Sequence, residues 1–181
     1  MKLALVILGS IAGLVAIIAI VGALLPRDHV ATLTARIAAT PPAVWTVISS
    51  PEDFPAWRAD VTTVDLLPAT PTGSSWREHS RHGAITMVVD LAEPPRKMIA
   101  RIADEGLPFG GKWTYEIEPD GDTASRVTIT EAGSVSNPIF RFVSRFIMGH
   151  TASIDAYLRA LGKRFGTEPT PTVVAGSHDG L

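Results

Sequence analysis

The run HVATLTARIAATPPAVWTVISSPEDFPAW, residues 29–57, sets the architecture of the chain. From His29 to Ala39, Val30, Thr32, Thr34 and Arg36 alternate with Ala31, Leu33, Ala35 and Ile37, the two-residue period of a strand with one buried face. Thr40 then offers an N-cap, and Pro41 a first-turn residue whose missing N–H matters least there. A short helix is therefore expected over Pro41–Ser49, with Val44, Trp45 and Ile48 turned inward. Pro51–Trp57 reads as a second short helix or turn, interrupted by Pro55.

Downstream, six strand candidates succeed one another: Val61–Leu67, Ser75–Ser80, Ala84–Leu91, Lys97–Ala103, Lys112–Glu118 and Arg126–Ala132. Pro71-Thr72-Gly73, His82-Gly83, Pro94-Pro95, Gly106–Gly111 and Asp120-Gly121-Asp122 supply the breaks between them. Asn137-Pro138 opens a long helix on which Phe140, Val143, Ile147, Ile154, Leu158, Leu161 and Phe165 form one apolar stripe, with Gly149 marking a kink or a close contact. Residues 167–181 lack periodicity and read as a disordered tail. The expected class is α+β, a curved antiparallel sheet around a long C-terminal helix. Such a sheet cannot close tightly on itself and commonly leaves a hollow against the helix.

Upstream, Leu3–Leu25 is 23 residues without a charge, and Ser10 is its one polar side chain. As a helix it spans about 34 Å, enough for a hydrocarbon layer of about 30 Å. Residues 1–28 are read as an N-terminal transmembrane anchor in contact with the bilayer through residues 3–25, and residues 29–166 as the folded domain. The rival reading is a cleaved signal peptide, since Val21-Gly22-Ala23 has suitable small-residue spacing, but the apolar run exceeds the about 7–15 residues such peptides use. Lys2 and the amino terminus favour a cytoplasmic tail and an exported domain, whereas Arg27 and Arg36 act in the opposite sense; the balance gives a single-pass protein with an extracytoplasmic domain. Gly9 and Gly13 form a GxxxG pair that would support a weak homodimer through this helix.

The 181 residues carry 16 Lys plus Arg against 18 Asp plus Glu, a formal net charge of -2, so there is no basic excess to grip a nucleic acid. Cysteine is absent, which excludes disulfides, thiol nucleophiles and cysteine-ligated zinc. Setting aside the first 25 residues leaves about 40% apolar residues, ordinary for a soluble domain with one core. No Ser/His/Asp order, phosphate loop or nucleotide fingerprint occurs. His79 and His82 straddle a turn without a third ligand, so neither a metal nor a cofactor is expected.

The element order and several local phrases resemble the START-like superfamily, also called SRPBCC, with its helix-grip fold, and within it the polyketide cyclase/dehydrase and lipid-transport branch. The phrases are Thr40-Pro41-Pro42-Ala43-Val44-Trp45, Pro51-Glu52-Asp53-Phe54-Pro55-Ala56-Trp57, Trp113-Thr114-Tyr115-Glu116-Ile117, Val127-Thr128-Ile129-Thr130-Glu131 and Ile154 through Leu161. The resemblance runs from about residue 29 to 166. It implies a fold that binds lipids, sterols or polyketides in various members, some of them enzymes, and it carries over no catalytic set.

Strand alternation places Trp113, Tyr115 and Ile117 on one face, Val127, Ile129 and Glu131 on another, Ile85, Met87, Val89 and Leu91 on a third, and Trp76, Glu78 and Ser80 on a fourth. These apolar, aromatic rows suit a pocket for an elongated or polycyclic apolar ligand, or a solid core. With Ile147 and His150 from the long helix, the expected ligand-binding set is Trp76, Glu78, Met87, Val89, Trp113, Tyr115, Ile129, Glu131, Ile147 and His150. Glu131 either points inward, paired or functional, or lies in water at a frayed strand end. Leu107-Pro108-Phe109-Gly110-Gly111 reads as a mobile loop gating the mouth. The expected function is a membrane-anchored binding protein for a hydrophobic small molecule. The alternatives are a cyclase/dehydratase-type enzyme drawing its proton donor and acceptor from Glu131, Tyr115, His150 and Glu78, or an envelope scaffold with a filled interior.

Overall fold

The computed structural model describes residues 2–149 and 151–174. The apolar N-terminal run forms helix α1 (Lys2–Leu24), and the strand at its exit is β1 (Asp28–Ile37). Helix α2 (Pro41–Ile48) starts with Pro41 in its first turn, and a 3₁₀ turn follows at Pro51–Ala56. Six strands then run in succession: β2 (Thr63–Thr70), β3 (Gly73–Ser80), β4 (Gly83–Glu93), β5 (Lys97–Ile102), β6 (Phe109–Pro119) and β7 (Ser125–Val135). Each pairs antiparallel with the next, and β1 pairs with β7 in the register Ala31 opposite Glu131. This is the helix-grip arrangement, α+β, with β2 at one edge of the sheet.

The helix expected as one rod from residue 138 is interrupted. Helix α3 (Pro138–Val143) begins where Asn137 Oδ1 accepts hydrogen bonds from the backbone N–H groups of Ile139 and Phe140. It passes into a π turn over Ser144–Met148, and Gly149 breaks it with φ +74°, a left-handed conformation that glycine adopts readily. Helix α4 (Ala152–Arg164) then starts afresh. Two faces result where one was expected. Ile154, Leu158 and Leu161 are fully buried, while Phe140 and Ile147 are 52% and 71% exposed.

The core lies between the concave face of the sheet and α4, α2 and the 3₁₀ turn. Ala31, Leu33, Ala35 and Ile37 of β1, Val127 and Ile129 of β7, and Ile117 of β6 pack on Val44, Ile48, Ile154, Leu158 and Leu161. Strand β4 carries a bulge between Val89 and Leu91. Val89 opposes the buried Ala100, but Leu91 opposes Ile99, so Leu91 leaves the inner row to which plain alternation assigned it. The expected gate loop also differs: Phe109–Gly111 is already β6, paired with Val135, Ser134 and Gly133. Gly111 has φ +151°, and a Cβ there would strike the Ala132 carbonyl and Gly133, so glycine permits the close approach of β6 and β7.

The tail expected to be disordered from residue 167 is ordered as far as residue 174. Thr167 returns to the Gly162 carbonyl at the end of α4, and buried Pro169 covers Gly162. Strand β8 (Thr172–Val173) then pairs with Thr34 and Leu33, adding an eighth strand beside β1. Residues 175–181 lie outside the described residues.

Leu158→Ala opens a void beneath α4 that its neighbours cannot fill by small shifts. An unfolding midpoint measured in mild detergent is expected to fall by the equivalent of about 2–5 kcal/mol, and an unchanged midpoint would mean that α4 is not gripped by the sheet.

Candidate functional site

The inward row of β3 brings Trp76 and Glu78 into the interior, 3% and 7% exposed. A carboxylate buried there needs partners. Arg58, just beyond the 3₁₀ turn, provides them: its two terminal nitrogens each lie 3.1 Å from one Glu78 oxygen, a forked pairing. Trp76 Nε1 donates to Glu78 Oε1 at 2.9 Å. The same guanidinium contacts Asp60 Oδ2 at 2.7 Å and lies over the Phe54 and Tyr157 rings, 5.1 and 5.3 Å from their centroids. Burial opposes the charge on Arg58, but Glu78 and Asp60 outweigh it and hold the guanidinium protonated. Burial likewise opposes ionisation of Asp60, and the Arg58 hydrogen bond and charge overcome it, keeping that carboxyl below its usual range.

Beside this pair the aromatic side chains form a continuous cluster. Phe54 stands edge-on to Trp76 and Trp57, and Trp57 stands edge-on to Tyr157 at 5.2 Å. Tyr157 in turn meets Trp113 at 5.6 Å and Tyr115 at 5.7 Å. Two donors inside the cluster have no acceptor among the described residues, Trp57 Nε1 and the Tyr157 hydroxyl, both shielded from solvent. The Tyr115 hydroxyl is close enough to act on Tyr157 as a weak hydrogen-bonding neighbour, but the contact falls outside the geometry of a full hydrogen bond. An orphaned buried donor carries its full desolvation cost, about 1–3 kcal/mol.

A second polar group lies on β7, four strands along the sheet from β3. Glu131 opposes Trp113 across β6 and β7 and points inward, 21% exposed at its side chain. Ser153 Oγ, in the first turn of α4, donates to Glu131 Oε2 at 3.2 Å, and His29 Nε2 lies 3.6 Å from Oε1. Of the two alternatives for Glu131, the paired one holds. Serine bonds the carboxylate here and not the imidazole, so the trio is no hydrolytic triad. Glu78 and Glu131 both lie towards the end of the sheet from which β7 leads into α3.

The structure thus brings together Trp76, Glu78, Trp113, Tyr115 and Glu131, with Val89 and Ile129 buried behind them and Met87 packed on the core. Ile147 is excluded, because the π turn and the break at Gly149 carry it outward. His150 lies outside the described residues. Sequence reading missed Trp57, Arg58, Tyr157 and His29. Tyr157 sits three residues after Ile154 and shares its stripe, a signal available in the spacing. Arg58 has no local signal, since its partner is twenty residues away on another element.

The hollow expected between sheet and helix is filled here by these aromatic rings. Two hollows lie elsewhere, and none of the expected site residues lines either. A small one sits where α1 meets β1, lined by residues such as Leu25, His29 and Arg141. The other, an open groove of about 560 Å³, runs between Pro41-Pro42, Glu93 to Lys97 and Glu116 to Pro119. His79 pairs with Asp65 at 2.8 Å, and among the described residues no three His, Cys, Asp or Glu side chains gather as a metal site.

Burial, foremost, raises both tyrosine hydroxyls above their usual range. The Arg58 charge acts in the opposite direction without offsetting it. Tyr115 and Tyr157 are the chain's only tyrosines, so the folded protein should show no tyrosinate absorbance at the pH, about 10, where a free tyrosine ionises. The stabilisation this represents is intact below that pH and is lost as pH rises above it, because the unfolded chain then releases protons that the folded one retains. A smooth tyrosinate rise near that pH in still-folded protein would contradict the buried placement.

The arrangement has solved counterparts. A conserved protein from Geobacillus kaustophilus superposes with a TM-score of 0.65 at 14% identity, covering 78% of this chain and 98% of that one. A START superfamily protein from Mycobacterium smegmatis gives 0.63 at 15% identity, covering 76% and 97%. Norcoclaurine synthase from Thalictrum flavum, in complex with dopamine and hydroxybenzaldehyde, gives 0.60 at 15% identity, covering 76% and 86%. At these identities the likeness shows the fold alone. No curated protein matches the chain in sequence. Residues 28–166 match the family described as polyketide cyclase / dehydrase and lipid transport, and with more than half of its length matched the chain belongs to that family.

Proposed function

We propose that this protein is a membrane-anchored binding module that takes up a hydrophobic small molecule between the sheet and α4. The observation that carries this reading is the pair of unpartnered donors, Trp57 Nε1 and the Tyr157 hydroxyl, inside an otherwise apolar and aromatic cluster. A solid core selected only for packing gains nothing from two such groups. A mainly apolar ligand with one or two acceptor oxygens satisfies both, and the half-exposed Trp57 and Trp113 are the rings placed to yield to it. The family description includes lipid transport, and a similar fold in norcoclaurine synthase is solved with dopamine and hydroxybenzaldehyde.

Binding is favoured over catalysis by the state of the carboxylates. Both Glu78 oxygens are engaged by Arg58, and Glu131 is held by Ser153. The two tyrosines remain protonated, able to donate but not to act as bases.

The anchor is α1, whose residues Leu5–Leu24 are long and apolar enough to cross a membrane. Retention is favoured over cleavage because the end of α1 is built into the domain: Gly22 packs on Pro138, and Arg141 donates to the Ala23 and Leu25 carbonyls. Lys2 at the start of the helix favours an extracytoplasmic domain. Nothing covers Gly9 or Gly13, which leaves that side of α1 available to a second copy.

Protein purified in mild detergent and extracted with organic solvent should release an apolar species detectable by mass spectrometry. Tyr157→Phe removes a hydroxyl that has no protein partner, so the stability of the emptied protein should hold or rise while the retained ligand falls about tenfold, the worth of one hydrogen bond. An empty extract from both proteins would favour the filled scaffold instead.

A further inference from the structure

We propose that residues 138–148, α3 and the π turn, form a second membrane contact lying in the interfacial layer of the bilayer that α1 crosses. The inference rests on α1 being a retained anchor. Among the described side chains of α1, those before Ile18 are exposed, whereas Ile18, Ala19, Val21 and Gly22 are covered, and α3 is the element packed there. The junction is tight. A Cβ on Gly22 would collide with the Pro138 carbonyl, and the buried Arg141 guanidinium lies 2.8 Å from the Leu25 carbonyl, 3.4 Å from that of Ala23 and 3.3 Å from that of Ser136. The Ala23 and Leu25 carbonyls lie at and just past the end of α1, where a helix leaves backbone acceptors without partners, and a cation suits the negative pole there. The two helices are therefore fixed together, and the depth of one sets the depth of the other.

At 1.5 Å per residue, with Leu24 at the hydrocarbon boundary, Gly22 lies about 3 Å and Ile18 about 9 Å inside it. Helices that lie in the interface sit about 5–10 Å into the headgroup and acyl boundary, the same band. The face of this segment turned away from the protein is apolar: Ile139, Phe140, Phe146 and Ile147 are 43%, 52%, 59% and 71% exposed. Phe109, at the start of β6 opposite Val135, adds a further ring at the same end of the sheet. Arg27, exposed just beyond α1, stands where headgroup phosphates would be. A face of this kind beside a helix that spans a membrane is accounted for by lipid. With it so seated, the end of the domain carrying Glu131, His29 and Ser153 opens at headgroup level, the side from which a membrane-dissolved ligand arrives.

The chain has no cysteine, so single-cysteine variants of the full protein can be labelled with NBD without background. Phe140→Cys and Phe146→Cys report on the segment, Ile11→Cys on α1, and Asp122→Cys on the opposite end of the sheet; all four positions are exposed. In phosphatidylcholine and phosphatidylglycerol vesicles carrying a shallow or a deep doxyl-lipid quencher, emission from positions 140 and 146 should be blue-shifted and quenched about twofold by the shallow one, and emission from position 11 quenched by the deep one, while position 122 stays unquenched by either. Quenching at 11 without quenching at 140 and 146 overturns the inference and leaves the anchor standing. No quenching at 11 overturns the anchor reading itself. A blue shift at 140 and 146 that ignores the quencher and fades as the protein is diluted assigns the face to a second copy and also overturns the inference.

Discussion

Burial of one face of α4, Ile154, Tyr157, Leu158 and Leu161, against the concave side of the sheet is the contact on which the remaining structure depends. These residues follow the i, i+3, i+4, i+7 spacing of a helical stripe. Each large apolar side chain taken fully out of water is worth about 1.5–3 kcal/mol, and none of the shorter helices presents so continuous a face. With α4 seated, Gly162 receives Pro169 and the chain returns to add β8 beside β1. The same seating brings the Tyr157 ring among Trp57, Trp113 and Tyr115, so the fold and the candidate site share one keystone.

Around Tyr157 the polar groups divide into two kinds. Glu78 is satisfied by Arg58 and Trp76, and Arg58 is enclosed between carboxylates and aromatic rings, a pairing whose disruption would strand a buried charge. That cluster is structural in character. Trp57 Nε1 and the Tyr157 hydroxyl, a few ångströms away, have been taken out of water without compensation. The contrast within a single core separates the polar groups that hold the domain together from the two donors that a ligand would satisfy under the proposed function.

Much of the fold was legible because sheets write a two-residue period into their sequence. The inward placement of Trp76, Glu78, Trp113, Tyr115, Ile129 and Glu131 follows from alternation alone, as does the buried side of β1. Alternation failed at Leu91 because a bulge between Val89 and Leu91 inserts one residue and reverses the parity, and nothing in the run of side chains there announces it. Helical spacing failed at Phe140 and Ile147 for a related reason: the stripe continues numerically across Gly149, but the backbone does not. Residues 167–174 and the gate depart from that reading because strand pairing with distant residues, Thr172 with Thr34 and Gly111 with Gly133, overrode weak local signals. The Arg58–Glu78 pairing is long-range in the same sense, as is the hold of Arg141 on the end of α1.

That hold makes the N-terminal helix part of the architecture, with α1, α3 and the open ends of β1, β6 and β7 gathered on one side of the domain. The central claim remains the unsatisfied interior, and the four tryptophans offer a direct view of it. Indole N–H resonances of ¹⁵N-labelled protein in detergent micelles, compared before and after removal of bound lipid, separate the two kinds of donor. The Trp57 signal is expected to move as its ligand acceptor is lost, while the Trp76 signal, pinned to Glu78, stays in place. Both signals unmoved, with lipid demonstrably removed, would contradict a ligand between sheet and helix.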